Sequence, residues 1–318
     1  MLEKIIYILG AAFLFYAGYY LITSIGIFKK RKKVTNNNDD KKNFFAVIIA
    51  ARNEENVIGK LIDSLKKQSY PSEYFDIYVI VNNCTDNTAI EAKKAGAKVI
   101  SCTEKVSTKG EVLKYTFDLF KDNNKIDAYA IFDADNIVHH DFLAKMNDMI
   151  NSGYSVAQGF RDTKNISDNW LTSSYAILYY FQSLFLNESR YNMGRSSFLN
   201  GTGFVIKKEV IDKHGFNPKT VTEDVEFTAM CAINNEKIGF ATDAITYDEQ
   251  TNSFDVSWKQ RKRWSFGTME CLREYFPTLL KKGIKERNFE CFDVGLFYLS
   301  VISHVVFNLL PIFLLINI

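Results

Sequence analysis

Six short polar strings carry the residues whose types and spacing could do chemistry. Three of them, Ala51-Arg52-Asn53-Glu54-Glu55, Asn82-Asn83-Cys84-Thr85-Asp86-Asn87-Thr88 and Phe132-Asp133-Ala134-Asp135-Asn136, each follow a short apolar run. Two carboxylates one residue apart suit a hard divalent cation, which takes oxygen ligands and shares them with phosphates. The same Asp-x-Asp string also serves as an ordinary turn with a helix cap. Asn200-Gly201-Thr202-Gly203-Phe204 puts two glycines before an apolar stretch, which permits a close backbone approach. Thr222-Glu223-Asp224-Val225-Glu226-Phe227 reads as a helix start with Thr222 as N-cap. Carboxylates there are either chemical groups or simple complements to the helix dipole. Gln260-Arg261-Lys262-Arg263-Trp264 lies in a basic, amphipathic stretch, 254–276, which reads as a helix resting on a membrane surface and as part of a site. His139-His140 has no other histidine spaced to complete a zinc site and reads as a solvated helix start.

The elements that must position these strings are given by periodicity. Continuous apolar runs of strand length occupy 45–51, 76–81, 98–101 and 128–132. Helical patterns occupy 54–67, 88–95 and 110–120, with Val57, Ile58, Leu61, Ile62 and Leu65 on one face of the first. Repeated strand–helix units predict an α/β fold with a mostly parallel sheet covered by helices. Ligands of such sheets bind beyond the carboxyl ends of the strands, where the first three strings lie. A longer helical stretch, 169–187, is rich in Tyr, Phe and Leu and reads as core, or as a wall facing an acceptor near a membrane.

The two ends have a different character. From Ile5 to Phe28 there is no charged residue, long enough to cross a bilayer, and Lys29-Lys30-Arg31-Lys32-Lys33 comes at once after it. Charge after rather than before the apolar run fits an uncleaved anchor, and the positive-inside rule puts the basic cluster and the chain beyond it in the cytoplasm. Residues 35–43 read as a solvated linker. Residues 292–318 are again apolar, enough for one tilted span, and Asp293 and His304 within them are functional candidates because ionisable groups are costly in lipid. The run reaches the last residue with no polar tail, which fits either a natural end or a piece of a protein with more spans. The balance of 39 Lys+Arg against 37 Asp+Glu gives a formal net charge of +2, which excludes a basic nucleic-acid-binding face. Five scattered cysteines read as reduced thiols rather than a disulfide framework.

Taken in order, Asn82–Thr88, Asp133/Asp135, Thr222-Glu223-Asp224 and Gln260-x-x-Arg263-Trp264 resemble the inverting family 2 glycosyltransferases with a GT-A fold. The resemblance covers roughly 45–276 and is greatest to the membrane-embedded synthases of cellulose, chitin, hyaluronan and poly-N-acetylglucosamine. It implies an anchor at 1–28, a basic juxtamembrane segment and linker at 29–43, a cytosolic Rossmann-like GT-A catalytic domain at 44–250, amphipathic interfacial helices at 251–290 and a second span at 291–318, in a multi-pass protein of the cell membrane. Asp135 would hold Mg²⁺ or Mn²⁺, and Asp133 would lie against the donor. Asp224, beside Glu223, would be the general base. Asn53, Glu55, Asn82, Asp86 and Lys109 would contact the UDP-sugar, Gln260 and Arg263 would close over its diphosphate, and Gly203 and Trp264 would face the acceptor sugar. One departure is Asn82, where the family usually has an Asp that accepts the uracil N3–H; an Asn oxygen still accepts it. The Gln-x-x-Arg-Trp set is associated with processive polysaccharide synthases, and a related form occurs in single-sugar enzymes that act on a membrane lipid. With only two spans, a polymer-secreting version would need a homo-oligomer or an export partner. A non-catalytic nucleotide-sugar-binding member is the reading from a different class, opposed by the joint presence of Asp133, Asp135, Asp224 and Arg263.

Overall fold

The computed structural model describes residues 2–31, 34 and 41–316. The expected linker therefore lies largely outside the described residues, as do Lys32 and Lys33 of the basic cluster and the side chain of His304.

The chain begins with an apolar helix, α1 (Leu2–Ser24), continued by a 3-10 turn (Ile25–Phe28). The first half then alternates β1 (Phe45–Ala51), α2 (Ile58–Lys66), β2 (Phe75–Val81), α3 (Thr88–Lys94), β3 (Lys98–Ser101), α4 (Lys109–Leu119) and β4 (Ala128–Asp133). After these come a two-residue strand β5 (Ile137–Val138), α5 (Phe142–Asn151) and β6 (Val156–Thr163). Next is one helical run in three parts: α6 (Trp170–Phe181), a π-helical segment (Gln182–Glu188) and α7 (Ser189–Asn192). The chain finishes with β7 (Phe204–Lys207), α8 (Lys208–His214), α9 (Glu223–Ile233), β8 (Ile238–Asp248), α10 (Phe254–Lys285) and α11 (Phe289–Ile316).

The strands form one eight-stranded sheet in the order β3-β2-β1-β4-β7-β6-β8-β5. Successive side chains of β1 point to opposite faces, so Phe45, Val47 and Ile49 join the core under α2, α3 and α5, while Ala46 and Ile48 join the core under α4, α8 and α9. Burial on both faces explains why this strand reads as an unbroken apolar run. The mostly parallel expectation holds for β3-β2-β1-β4 and for β6 with β8; β7 is antiparallel to both β4 and β6, and β5 is antiparallel to β8, so the sheet is mixed. One reversed strand between two others leaves β1, β2, β4, β6 and β8 with their carboxyl ends on the same edge. It also brings the loop entering β7 to that edge. Three helix expectations shift as well: α2 starts at Ile58 rather than 54, the stretch 169–187 switches from α to π form at Gln182, and α10 runs to Lys285.

Two helices, Glu3–Phe28 and Phe289–Ile312, are long and apolar enough to cross a membrane. They pack on each other and on the sheet domain through one buried ion pair. Arg190 of α7 gives its Nε to Asp293 Oδ2 of α11 at 2.8 Å, and the two side chains are 1% and 2% exposed. Tyr19 of α1 completes the cluster, donating to Asp293 Oδ1 at 2.7 Å and accepting from Arg190 Nη2 at 2.9 Å. Asp293 is thus explained as a structural partner and not as a group reaching for lipid headgroups. Removing one member of a buried pair leaves the other charge uncompensated and costs about 3–5 kcal/mol, whereas replacing both with apolar groups is far milder. Asp293→Leu is therefore expected to lower the thermal unfolding midpoint in detergent sharply, and Arg190→Met/Asp293→Leu to recover most of the loss; equal losses in single and double variants would contradict the pairing.

Candidate active site

A cavity of about 610 Å³ opens at the carboxyl edge of the sheet. Its floor is a concentration of acids: Asp133 at the end of β4, Asp135 two residues on, Asp248 at the end of β8, and Glu54 after β1. Burial, then the negative charges of Asp248, Asp133 and Glu54, push the Asp135 carboxyl up to about 8. Glu54 is also raised, by burial and then by Asp133 and Asp86. Carboxylates this crowded fit a hard divalent cation, with Asp135 central and Asp133, Asp248 and Glu54 around it.

Two partly buried cations hold the floor together. Arg161 of β6 bonds Asp248 through Nε at 2.9 Å and through Nη2, gives Nη1 to the Asn200 carbonyl at 2.8 Å, and lies 3.9 Å over the Tyr179 ring. Lys109 bonds the Asp133 carboxylate, reaches the Gly201 carbonyl at 2.6 Å, and lies 3.8 Å from Glu223. Burial alone would lower the Lys109 pKa, but Asp133 and Glu223 outweigh it and the net shift is upward. Its position is set by a capping box, in which Thr108 Oγ1 accepts from Glu111 N–H at 3.2 Å and Glu111 Oε2 accepts from Thr108 N–H at 3.0 Å. The next residue is Gly110, and a Cβ there would stand 2.9 Å from Glu223 Cβ.

Across the cavity, α9 presents Glu223 and Asp224 in its first turn. Burial, opposed by Lys109 and reinforced by Asp224, raises Glu223 to about 7, and burial raises Asp224 as well. Thr222 occupies the N-cap position, but its side chain makes no capping bond; it lies against Gly267 and Cys271 of α10. The turn is fixed instead by Glu226, which accepts from Lys219 and Thr220 N–H at 2.9 and 2.8 Å and from the Tyr275 hydroxyl of α10. Glu270 of α10 adds a bond from Val221 N–H at 3.2 Å. The amino-terminal half of α10 brings Gln260, Arg263 and Trp264 to the cavity, with Trp264 edge-on to Tyr175 of α6 at 6.1 Å.

Of the residues expected from sequence, Asp133, Asp135, Lys109, Glu223, Asp224, Gln260, Arg263 and Trp264 line this one cavity. Asn53, Glu55 and Asp86 do not; they stitch two loops together. Asn53 Oδ1 accepts from Thr85 N–H at 2.8 Å, Glu55 Oε2 from Asn87 N–H at 2.9 Å, and Asp86 Oδ2 from Glu55 N–H at 3.1 Å. Asn82 does not line the cavity either; it is buried, its Nδ2 donates to the Val106 carbonyl at 3.4 Å, and its Oδ1 has no partner. Gly203 closes the turn just before β7, its N–H on the Ile131 carbonyl at 2.9 Å, with a φ of 62° and a Thr246 side chain where a Cβ would be. It is Gly201, not Gly203, that lines the cavity. Among the other lining residues, Glu54 and Asn200 belong to strings quoted from the sequence but were given no role there, and Arg161 and Asp248 belong to none. Asp248 carried a usable signal, because it ends a strand as Asp133 does; Arg161 carried none. Both side-chain amide atoms of Asn200 are buried without a partner. His139, His140 and Asp141 bring their ligand atoms within 4.8 Å of one another, but none lines the cavity.

Residues 42–267 match the family described as glycosyltransferase like family 2. The probable glycosyltransferase YdaM of Bacillus subtilis is 25% identical over 282 residues, 80% of this chain and 63% of that protein. A beta-monoglucosyldiacylglycerol synthase of Synechocystis sp. is 25% identical over 241 residues, 71% of this chain and 48% of that protein. The chain thus spans between about half and three-fifths of the length of these relatives. In fold it is similar to the mannosyltransferase PcManGT from Pyrobaculum calidifontis in complex with GDP-Man and Mn²⁺, with a TM-score of 0.68 at 14% identity, covering 96% of this chain and 86% of that one. It is also similar to S. aureus TarS 1-349 in complex with UDP-GlcNAc, with a TM-score of 0.57 at 15% identity, covering 81% and 72%.

The raised carboxyls give a stability prediction. Asp135 and Glu223 bind protons more tightly in the folded chain than in the unfolded one, so folding loses stability as pH climbs from the ordinary carboxylate range toward about 8. A cation bound among the acids offsets that loss. Added Mn²⁺ is expected to raise the unfolding midpoint by ~5 °C near pH 8 and by much less near pH 5.5. An equal effect at both would contradict the assignment of the acids as the cation site.

Proposed function

The chain belongs to the glycosyltransferase like family 2 and is a glycosyltransferase, and we propose that it transfers one sugar, with inversion, from a UDP-sugar to a hydroxyl of a membrane lipid at the cytosolic face of the cell membrane. The observation that carries this reading is the composition of the cavity. One end is acidic and suited to a metal–diphosphate, and the other is apolar and walled by Phe297 and Tyr298 of α11, one of the two helices apolar enough to span a bilayer. The diacylglycerol acceptor named for the Synechocystis relative supports the same choice. A polysaccharide acceptor is favoured by the Gln260-x-x-Arg263-Trp264 set, and product size separates the two. The lipid reading needs no export partner.

Asp135, with Asp133, Asp248 and Glu54 around it, would hold Mg²⁺ or Mn²⁺, whose chemistry is to neutralise the leaving diphosphate. The orphaned Asn82 Oδ1 suits a base N–H such as that of uracil, beneath the loops stitched by Asn53, Glu55 and Asp86. Lys109 and Arg263 add positive charge on the donor side, with Gln260 beside them. Asp224 takes the proton of the acceptor hydroxyl as its oxygen attacks the anomeric carbon; the new C–O bond forms as the bond to the diphosphate breaks, and UDP departs. Glu223, next to Lys109, keeps that cation on the reaction side. Trp264 faces the acceptor. The catalytic unit, 44–250, is held between an anchor at 1–28 and a span at 291–318, with 251–290 lying along the interface.

Purified protein in detergent with Mn²⁺, offered a panel of UDP-sugars and a membrane lipid extract, is expected to release UDP with one donor and yield a glycolipid. Asp224→Asn should lower kcat by about 10²–10⁴-fold while UDP binding persists. Retained turnover in that variant would remove Asp224 from its role, and a water-soluble polymer product would replace the lipid reading.

A further inference from the structure

We propose that the apolar arm of the cavity is a groove for the hydrocarbon chains of a neutral lipid alcohol, entered sideways from the bilayer between α6 with its π-helical continuation and α11. This rests on the lipid reading above and assigns the part of the site that selects the acceptor. Beyond Asp224 the walls are Leu178 of α6, Leu186 of the π-helical segment, Phe198 and Leu199 of the loop before β7, Val225 of α9 and Phe297 of α11. Phe198 and Phe297 stack at 4.6 Å. The Tyr298 hydroxyl donates to the Val225 carbonyl at 2.6 Å and the Thr228 hydroxyl to the Asp224 carbonyl at 2.9 Å, so neither is available to a ligand as a donor.

An occupant of this arm must offer a hydroxyl at Asp224 and hydrocarbon to most of the remaining wall, whose polar members are Gln182, Asn187 and Thr228, the last two already bonded to the Phe198 backbone and to the Asp224 and Leu199 backbone. A saccharide chain would bring several hydroxyls per residue into walls that leave them unpaired, which is costly. Asn200 fits the same conclusion. The Asn200 amide, buried with neither its donor nor its acceptor satisfied, sits where the acidic floor meets the apolar arm. It can both give and accept a hydrogen bond to the glycerol-like head of such a lipid, next to the attacking hydroxyl. Apolar side chains are also exposed on the same helices. Ile177 and Phe181 of α6 are 69% and 51% exposed, and Ile302 of α11 is 47% exposed, so the surface leading from the groove is lipid-compatible. The π-helical segment is the local device that builds one wall, and such segments recur at functional sites.

The test fills the groove and varies the chain. Leu186→Trp and Leu178→Trp, the second at a 39% exposed position that tolerates bulk, are compared with the wild type on short-chain and long-chain diacylglycerols in mixed micelles, with Mn²⁺–UDP binding as the control. The expected result is a loss of about tenfold or more in kcat/KM for the long-chain acceptor with the short-chain value within about threefold of wild type, and unchanged nucleotide binding. Equal losses on both acceptors, or none, would overturn the groove while leaving the lipid reading intact. A wild type that turns over its donor only with saccharide acceptors would overturn the lipid reading and the groove together. A second measurement is independent of those variants. In a Trp170→Phe/Trp258→Phe background Trp264 is the remaining tryptophan of three, and a long-chain diacylglycerol brominated on its acyl chain should quench it saturably. Quenching that rises linearly without saturation would also overturn the proposal.

Discussion

Four carboxylates crowd the carboxyl edge of one sheet, and most of the surrounding architecture answers to their mutual repulsion. Asp133, Asp135, Asp248 and Glu54 come from three strand ends and would not tolerate one another undiluted; Asp135 already holds its proton up to about 8. Arg161 and Lys109 each take up part of the charge, one against Asp248 and the other against Asp133. The charge left over makes a negative site suited to a divalent cation and a diphosphate. Lys109 is central because it touches three parts of the site at once: the acid at the end of β4, the Gly201 carbonyl before β7, and Glu223 at the start of α9. The acidic floor and the start of α9 are therefore not independent, and the mixed sheet is what makes the geometry possible. The antiparallel strand β7 delivers the Asn200–Gly203 turn to the edge where the parallel strands end.

A second chain of contacts ties this site to the apolar helices. α10 reaches the cavity with Gln260, Arg263 and Trp264 and, further along, grips the turn before α9 through Glu270, Cys271 and Tyr275. α11 packs on α10 and α9, and its Asp293 is neutralised by Arg190 from the run that also supplies Leu178 and Leu186. The apolar helices and the catalytic residues are thus parts of one packed unit. α11, which lines the cavity, is also one of the two helices long and apolar enough to cross a membrane.

Much of this was legible in the sequence, for physical reasons that differ by residue. Buried parallel strands must be apolar throughout, so β1, β2 and β4 announced themselves, and reading the residues just past them found Asp133, Asp135 and the loop around Asn82. Strand β8, mostly buried but broken by Thr242, Asp243 and Thr246, has no such run, and Asp248 at its end was missed with it. Arg161 is a cation inside a strand, and only the fold reveals that its partner is Asp248. Gly201 and Gly203 are indistinguishable as residue types; the positive φ of both is real, but one faces the cavity and the other fills a gap under Thr246. Asp293 looked anomalous in an apolar run because its partner, Arg190, is 103 residues away. Asn53, Glu55 and Asp86 lie at the right edge, yet their side chains satisfy neighbouring loop amides and so shape the site without lining it.

If the acidic edge is the donor site, it binds a nucleoside diphosphate only together with a divalent cation. Calorimetric titration of UDP into the purified protein, with Mn²⁺ and then with EDTA, measures this directly, and Asp135→Ala serves as the control. The expected result is binding with Mn²⁺, none detectable in EDTA, and none in Asp135→Ala under either condition while the variant keeps its unfolding transition. Equally tight binding of UDP in EDTA, or a metal requirement that survives Asp135→Ala unchanged, would contradict it.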